Sequence, residues 1–259
     1  MNEAELVLTE VLKCDRVSLY LDRSRRIPPE ACRELSGIFK RRCAGESLYY
    51  ILGKAEFMGF EFRVTADCLV PRPETELLVE TVSSEVQVSE KVNILDIGTG
   101  SGCIAVTLAR MLPEAVITAT DISPAALDVA RDNALRLGVK DRINFVCSDV
   151  FPPRAPALYD CIVSNPPYIR TNDIDCLSSE VRSEPRIALD GGPDGLDMYR
   201  FIVERAHAYL SPGGILAMEL GFDQADAVQQ LIADSKKYKV KQVILDYNSI
   251  QRIVVAYKD

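Results

Sequence analysis

Asp96-Ile97-Gly98-Thr99-Gly100-Ser101-Gly102 is the stretch on which the fold turns. It closes an apolar run at 92–97 that reads as a strand, and a helix-like apolar run at 104–111 follows it. Glycines at such a turn permit positive φ and let backbone come close to a ligand. Toward the C-terminus, strand patterns recur at 115–120, 143–147, 159–164 and 215–220, with helix patterns at 196–210 and 224–235. Ser123, Pro124 and Gly138 give one further helix its start and its stop. Such alternation predicts an α/β fold with a mostly parallel sheet and helices on both faces. The last two strand patterns, 240–246 and 253–257, are joined by about six residues. That is too short for a parallel crossover, so they are expected to form an antiparallel hairpin.

Toward the N-terminus the pattern is helical. Leu6, Val7, Val11 and Leu12 make one apolar stripe, and Leu35, Ile38 and Phe39 make another behind the helix start Ile27-Pro28-Pro29-Glu30. Arg23, Arg25, Arg26, Arg33, Lys40, Arg41 and Arg42 form a local basic excess that reads as a solvated helical face or as a contact surface for an acidic partner. Phe57, Gly59, Phe60 and Phe62 suggest a short hairpin. A helix begins at Glu74, and 83–90 reads as a loop. Two units are expected: a helical N-terminal domain with its hairpin over 1–85, and the α/β domain over 86–259.

Composition removes several classes of function. The chain has 259 residues, 47% hydrophobic and 26% charged, which is an ordinary globular balance. No apolar run approaches a spanning helix, and the acidic start does not resemble a signal peptide, so a cytoplasmic protein without a membrane partner is expected. The net charge of −8, spread over both units, argues against a protein built to grip nucleic acid. Eight cysteines include no C-x-x-C pair and no nearby histidine pair, so no metal site is expected and free, buried thiols are. The one histidine, His207, falls in the 196–210 helix pattern and reads as structural. The chemistry must therefore proceed without an imidazole base.

Three strand ends carry the candidate site. Gly98, Thr99, Gly100, Ser101 and Gly102 form the turn after the first strand of the α/β unit, where ligands of open parallel sheets bind. Asp121 ends the next strand, 19 residues after Gly102, a spacing that suits a carboxylate reaching a ribose diol, with a dinucleotide as the competing ligand. Asp149 and Val150 end the third, where a carboxylate can accept from an adenine amino group and Val150 can pack on its face. Asn165-Pro166-Pro167-Tyr168 follows the fourth. Two acceptors, the Asn165 side-chain oxygen and the Pro166 carbonyl, can hold both hydrogens of a planar –NH2 group and face its nitrogen toward a methyl sulfonium. Consecutive prolines lock φ and remove competing N–H donors, and Tyr168 supplies an aromatic wall.

Together these residues resemble a class I methyltransferase that uses S-adenosylmethionine and yields S-adenosylhomocysteine. More narrowly, the chain resembles the PrmC/HemK family of protein-(glutamine-N5) methyltransferases. The resemblance rests on Tyr50, Gly53, Phe57 and Gly59, on Pro71-Arg72-Pro73-Glu74-Thr75-Glu76, on Asn165–Tyr168, and on Glu184-Pro185 followed by residues 188–197. It implies an N-terminal helical bundle, a connecting hairpin and a seven-stranded catalytic domain. It implies methyl transfer to the glutamine side chain in the Gly-Gly-Gln motif of peptide-chain release factors. Gly98–Gly102, Asp121, Asp149, Val150 and Asn165 would then bind cofactor, and Asn165, Pro166, Pro167 and Tyr168 would hold the glutamine. Several relatives carry an aromatic residue where this chain has Val150, which implies weaker stacking on adenine.

Three other readings stay open on the sequence. They are a glutamine methyltransferase of a ribosomal protein, an adenine-N6 methyltransferase of nucleic acid acting on a flipped base, and a binding module that kept the fold without the activity. A monomer is expected.

Overall fold

The structure is a computed structural model that describes residues 2–21, 26–86, 91–154 and 157–259. It opens with α1 (Glu3–Leu12), α2 (Arg16–Leu21), α3 (Pro29–Cys43) and α4 (Leu48–Leu52). Asn2 caps α1 reciprocally: its side chain accepts from the Glu5 amide, and the Glu5 carboxylate accepts from the Asn2 amide. Ala31, Leu35 and Ile38, at helical spacing on α3, meet Val7 and Val11 of α1 and Leu48 of α4 in a small core of their own. Phe39, expected in that stripe, points to solvent at 55% exposure, because it lies about 100° around the helix from Ile38.

The basic run is partly consumed inside the protein. Arg41 pairs with Glu46, and Arg42 pairs with Glu3 of α1 and Glu180. Arg23 and Arg25 lie outside the described residues. All eight cysteines are free, yet only Cys68, Cys103 and Cys161 are buried. Cys32 and Cys43 are exposed, off the α3 stripe that faces the core.

The expected hairpin is β1 (Lys54–Phe57) paired antiparallel with β2 (Phe60–Arg63). Phe57 and Phe62 meet edge to face, ring centres 6.0 Å apart. Both rings enter the large core beneath the sheet, together with Leu78, Val79 and Val82 of α5 (Pro73–Glu85). Helix α5 runs to Glu85, three residues into the expected loop, and 87–90 lie outside the described residues. Just before that stretch, the buried Thr81 hydroxyl donates to the Leu77 carbonyl one turn earlier.

The α/β unit follows as β3 (Asn93–Ile97), α6 (Cys103–Met111), β4 (Val116–Asp121), α7 (Pro124–Arg136), β5 (Ile143–Cys147), β6 (Tyr159–Ser164), α8 (Ser179–Arg182), α9 (Asp197–Arg205), β7 (Leu210–Glu219), α10 (Ala225–Ser235), β8 (Tyr238–Leu245) and β9 (Gln251–Lys258). The seven strands lie in the order β5-β4-β3-β6-β7-β9-β8. All neighbours are parallel except those of β9, which runs antiparallel to β7 and β8, as the short final connection requires. Ser123 accepts from the Ala126 amide at the start of α7. Helix α9 is shorter than the sequence pattern suggests. It gives way to a 3-10 turn at Ala206–Ala208 that holds His207, whose ring meets the edge of Tyr238. No described helix is long and apolar enough to cross a membrane.

The chain runs β3, β4, β5 outward in one direction and then returns to lay β6 on the other side of β3. A crevice therefore opens at the carboxyl ends of β3 and β6, where the strand order reverses.

Candidate functional site

At the end of β3 the chain turns with positive φ at Gly98, Gly100 and Gly102. The Gly98 and Thr99 amides both donate to the Thr120 carbonyl at 2.9 Å, tying the turn to the neighbouring strand. The Gly100 amide donates to Asp121 Oδ2 at 2.8 Å, and the Ser123 amide donates to Asp121 Oδ1 at 2.9 Å. Two backbone donors thus fix the carboxylate plane and leave each oxygen a further lone pair for a ligand.

Behind the turn lies Asp96, fully buried, with Oδ2 accepting from the Thr99 hydroxyl at 2.7 Å. Burial pushes its carboxyl up to about 7. Thr99 and Ser101 are buried with it, and Gly102 packs against Ala130, where a Cβ would come within 3.0 Å. These three support the turn from behind. Gly98 and Gly100 face the crevice.

Beyond β5 the chain makes a second constrained turn. Val150 has φ +69°, and the Phe151 amide donates across it to the Asp149 carbonyl at 3.0 Å. This is a γ-turn in the region a β-branched residue normally avoids. The Thr120 hydroxyl holds the Val150 carbonyl at 2.7 Å, and Phe151 stacks on Tyr209 in the core, ring centres 4.5 Å apart. Core packing on one side and a hydrogen bond on the other keep Asp149 and Val150 against the cavity.

The cavity measures about 800 Å³ including its open mouth. Gly98, Gly100, Asp121, Asp149, Val150 and Asn165 share it, and Pro166 and Pro167 close its far side. A strap from the 171–190 segment, through Pro185, Ile187 and Ala188, forms another wall. Cys68, just past the hairpin, lines it too, its thiol pushed up to about 11 by burial. Nothing in the sequence marked the strap or Cys68 as lining residues, since their approach to the strand ends is purely tertiary.

Tyr168 does not line this cavity. It sits with Arg72, Leu69, Leu177 and Val181 around a second one of about 640 Å³, and Asn165 and Pro166 stand in the wall the two share. The strap is anchored at this wall. Glu184 pairs with Arg72 and accepts from the Val70 amide, and Glu180 pairs with Arg42 of α3. Burial raises the Glu184 carboxyl while Arg72 opposes the shift.

The Asn165–Tyr168 loop is held on three sides. The Ile169 amide donates to the Leu189 carbonyl, the Gly191 amide to the Ile169 carbonyl, and Gln224 Nε2 to the Tyr168 carbonyl. Asn165 Nδ2 donates to Thr75 Oγ1 at 3.0 Å. Among the described residues, neither Asn165 Oδ1 nor the Pro166 carbonyl has a hydrogen-bond donor. Two acceptor oxygens therefore stand free on adjacent residues at the rim of a large cavity. That pair can bind both hydrogens of one –NH2 group.

Two family models match: the methyltransferase small domain over residues 73–180 and the PrmC N-terminal domain over residues 1–53. A release factor glutamine methyltransferase of Moorella thermoacetica is 44% identical over 99% of this chain and 90% of its own length. One of Geobacter sulfurreducens is 46% identical over 87% of this chain and 78% of its own length. Among solved structures, a methyltransferase of Pyrococcus furiosus superposes with a TM-score of 0.58 at 17% identity, covering 88% of this chain and 98% of that one. A ribosomal protein L11 methylase of Lactobacillus delbrueckii subsp. bulgaricus gives 0.56 at 16% identity, over 76% and 85%. These two share the fold.

Proposed function

The chain belongs to the release factor glutamine methyltransferase family, and from that premise we propose how its residues carry out the transfer. It is a protein-glutamine methyltransferase that uses S-adenosylmethionine. The acceptor in this reading is the side-chain amide nitrogen, N5, of the glutamine in a release factor's Gly-Gly-Gln motif. Translation termination then places the protein in the cytoplasm. Substrate recognition falls to the N-terminal unit, 1–85, and chemistry to 86–259.

The residues around the larger cavity suit the cofactor. Asp121 offers lone pairs to a ribose diol, Asp149 offers a carboxylate near an adenine amino group, and Val150 packs on the ring. Backbone at Gly98 and Gly100 lets the ligand approach closely, with open space where a side chain would stand on Gly98 and only the Gly98 carbonyl oxygen, at 4.0 Å, beside that place on Gly100. When bound, S-adenosylmethionine supplies an electrophilic methyl group. Asn165 Oδ1 and the Pro166 carbonyl accept the two amide hydrogens of the glutamine and fix its plane. The nitrogen then presents its face, and not its edge, to the methyl carbon. As the nitrogen gains the methyl carbon, the sulfur would keep the electron pair of the broken C–S bond and leave as the neutral thioether S-adenosylhomocysteine, while one amide hydrogen departs as a proton along its hydrogen bond to Asn165 Oδ1 or the Pro166 carbonyl and on to solvent. No imidazole is required. Positioning supplies most of the effect. The smaller cavity, with Arg72, Tyr168 and apolar walls, is the route by which the acceptor loop enters.

The observation that carries this reading is the pair of free acceptors on Asn165 and Pro166 at the edge of the cofactor cavity. Mass spectrometry of a release factor incubated with the enzyme and S-adenosylmethionine tests it. One methyl group on the Gly-Gly-Gln glutamine is expected. A folded enzyme that leaves that glutamine unmodified, and instead modifies a ribosomal protein or an adenine base, overturns the substrate assignment.

A further inference from the structure

The amide of Asn165 is useful only in one of its two orientations. With Oδ1 toward the acceptor it binds an N–H. Turned by 180° it offers a donor to a donor and repels the substrate. Within Asn165 itself nothing selects between the two, since the amide is nearly symmetric in shape.

The selection comes from behind. Thr75 Oγ1, on the first turn of α5, donates to Glu219 Oε2 at 2.6 Å, the short distance of a hydrogen bond to a carboxylate. Asn165 Nδ2 then meets Thr75 Oγ1 at 3.0 Å and also bonds the Glu219 carboxyl. Thr75 is 2% exposed and Glu219 1%, so both are shielded from bulk solvent. An ionised carboxylate accepts only, and the single Thr75 hydrogen is committed to it. Both atoms behind Asn165 are therefore acceptors, and the Asn165 atom facing them must be its NH2. We propose that Thr75 and Glu219 are positioning residues which, through the charge on Glu219, hold the Asn165 oxygen toward the acceptor amide.

The inference rests on the reading of Asn165 as the amide acceptor. It adds a dependence on pH. Glu219 is faced by Glu74 from α5, Tyr168 from the substrate loop, Arg252 from β9 and Tyr199 from α9, whose hydroxyl donates to the Glu219 backbone carbonyl at 2.9 Å. Arg252 is itself paired with Asp246. Desolvation raises the carboxyl to about 7, Glu74 adds to the rise, and Thr75, Arg252 and Asn165 oppose it. A protonated Glu219 becomes a donor. The Asn165 amide can then turn, and its NH2 faces the substrate. Turnover falls as pH drops through the Glu219 pKa.

The experiment compares Thr75→Val, Thr75→Ser, Glu219→Gln and, as a control for the site, Asn165→Ala. Each full-length variant is assayed with a release factor and S-adenosylmethionine from about pH 6 to about pH 9. Thr75→Val is expected to lower kcat ~10- to 100-fold with KM for S-adenosylmethionine within about twofold, a misorientation cost. Thr75→Ser is expected to recover most of it. Glu219→Gln is expected to remove the acid limb that the parent enzyme shows. Normal turnover in Thr75→Val, or an equal loss in Thr75→Ser, overturns the role of Thr75. An acid limb unchanged in Glu219→Gln overturns that of Glu219. If Thr75→Val does not fold, the serine variant and the Glu219→Gln profile decide by the same criteria. Undiminished turnover in Asn165→Ala overturns the reading of the site itself. A collapse there beside normal Thr75 variants overturns only the relay.

Discussion

A Cβ on Gly191 would stand 2.8 Å from the Pro167 carbonyl oxygen. It would also come within 2.8 Å of the Tyr168 Cα, so backbone blocks it on two sides. The segment after the strap therefore packs directly on the loop that carries Asn165, with no layer of side chains between. Gly195 is tighter still: its φ is +78°, and a Cβ would lie 2.4 Å from the Tyr168 carbonyl. Gly191→Ala must push the loop outward. A displacement of about 1 Å in a positioning element costs ~10²-fold in rate. The expected result is a ~10²-fold fall in kcat with S-adenosylmethionine affinity changed less than about threefold. Steady-state kinetics with equilibrium cofactor binding checks it, and a loss confined to cofactor binding contradicts it.

Asp121 is preset by two backbone donors, from Gly100 at 2.8 Å and Ser123 at 2.9 Å. A carboxylate that pays no ordering cost on binding gives its full hydrogen-bond energy to the ligand. Hydrogen bonds to charged groups are worth about 1.5–3 kcal/mol. Asp121→Ala is expected to raise the Kd for S-adenosylmethionine ~10- to 100-fold by calorimetric titration. An unchanged Kd would remove Asp121 from the cofactor site.

Val150 gains its place at the cavity at the expense of backbone strain. At φ +69° a β-branched residue costs about 1–3 kcal/mol. The residue is 8% exposed, and such burial returns about 1.5–3 kcal/mol. The two nearly cancel, so Val150→Gly is expected to change unfolding stability by less than about 1 kcal/mol while weakening S-adenosylmethionine binding. Chemical denaturation beside calorimetry tests both halves. A large stability loss would mean the turn is not strained.

The succession of strands and helices, the glycine turn and the candidate acceptors on Asn165 and Pro166 were readable because each is a local pattern. A glycine turn between an apolar strand and an apolar helix has few other uses, and the distance from Gly102 to Asp121 is set by one helix and one strand. Helix α5 was read only in part. Its last turn carries Ser83 and Ser84, which the sequence offers as loop formers. There their hydroxyls donate back to the Glu80 and Thr81 carbonyls and stay within the helix. Glu219 could not have been found. It ends an apolar strand 144 residues from Thr75, and only the sheet and α5 packing together bring the two within 2.6 Å. The strap carries motif residues, yet its contact with the cavity depends on Arg72 reaching Glu184 across 112 residues of chain.

That pairing has an energetic consequence. The Glu184 side chain is 2% exposed and its partner Arg72 29%. Removing the cation leaves a buried carboxylate alone, a change that costs about 3–5 kcal/mol in a fully buried pair and less where one partner reaches solvent. Arg72→Met is expected to destabilise by about 2–3 kcal/mol at pH 8. Arg72→Met/Glu184→Gln should recover part of that, because no unpaired charge remains. Urea unfolding of both variants checks it. A double variant no more stable than the single would show that Arg72 acts by packing its stem.

Two buried carboxyls should leave a mark on stability against pH. Asp96 and Glu219 are both pushed up to about 7 by desolvation, from ordinary values near 4. Between about pH 4 and pH 7 the folded protein holds protons that the unfolded chain has released. Stability therefore falls as pH rises through that window and levels off above about 7, the reverse of an ion-paired carboxylate. Each group contributes on the order of 3–4 kcal/mol across the window, at 1.36 kcal/mol for each pH unit between its ordinary and its raised value. Glu219→Gln cannot ionise, so its stability relative to the parent should improve by that order between about pH 4 and about pH 8. Comparing one variant at two pH values cancels whatever the substitution itself costs in hydrogen bonds to Thr75 and Asn165. Asp96→Asn should behave alike, because burial outweighs the Thr99 hydroxyl and raises the Asp96 carboxyl in the same direction. Denaturant titrations at the two pH values measure the difference. If the relative stability of Glu219→Gln does not move with pH, Glu219 titrates at an ordinary carboxylate value, and its charge is present throughout the acid range.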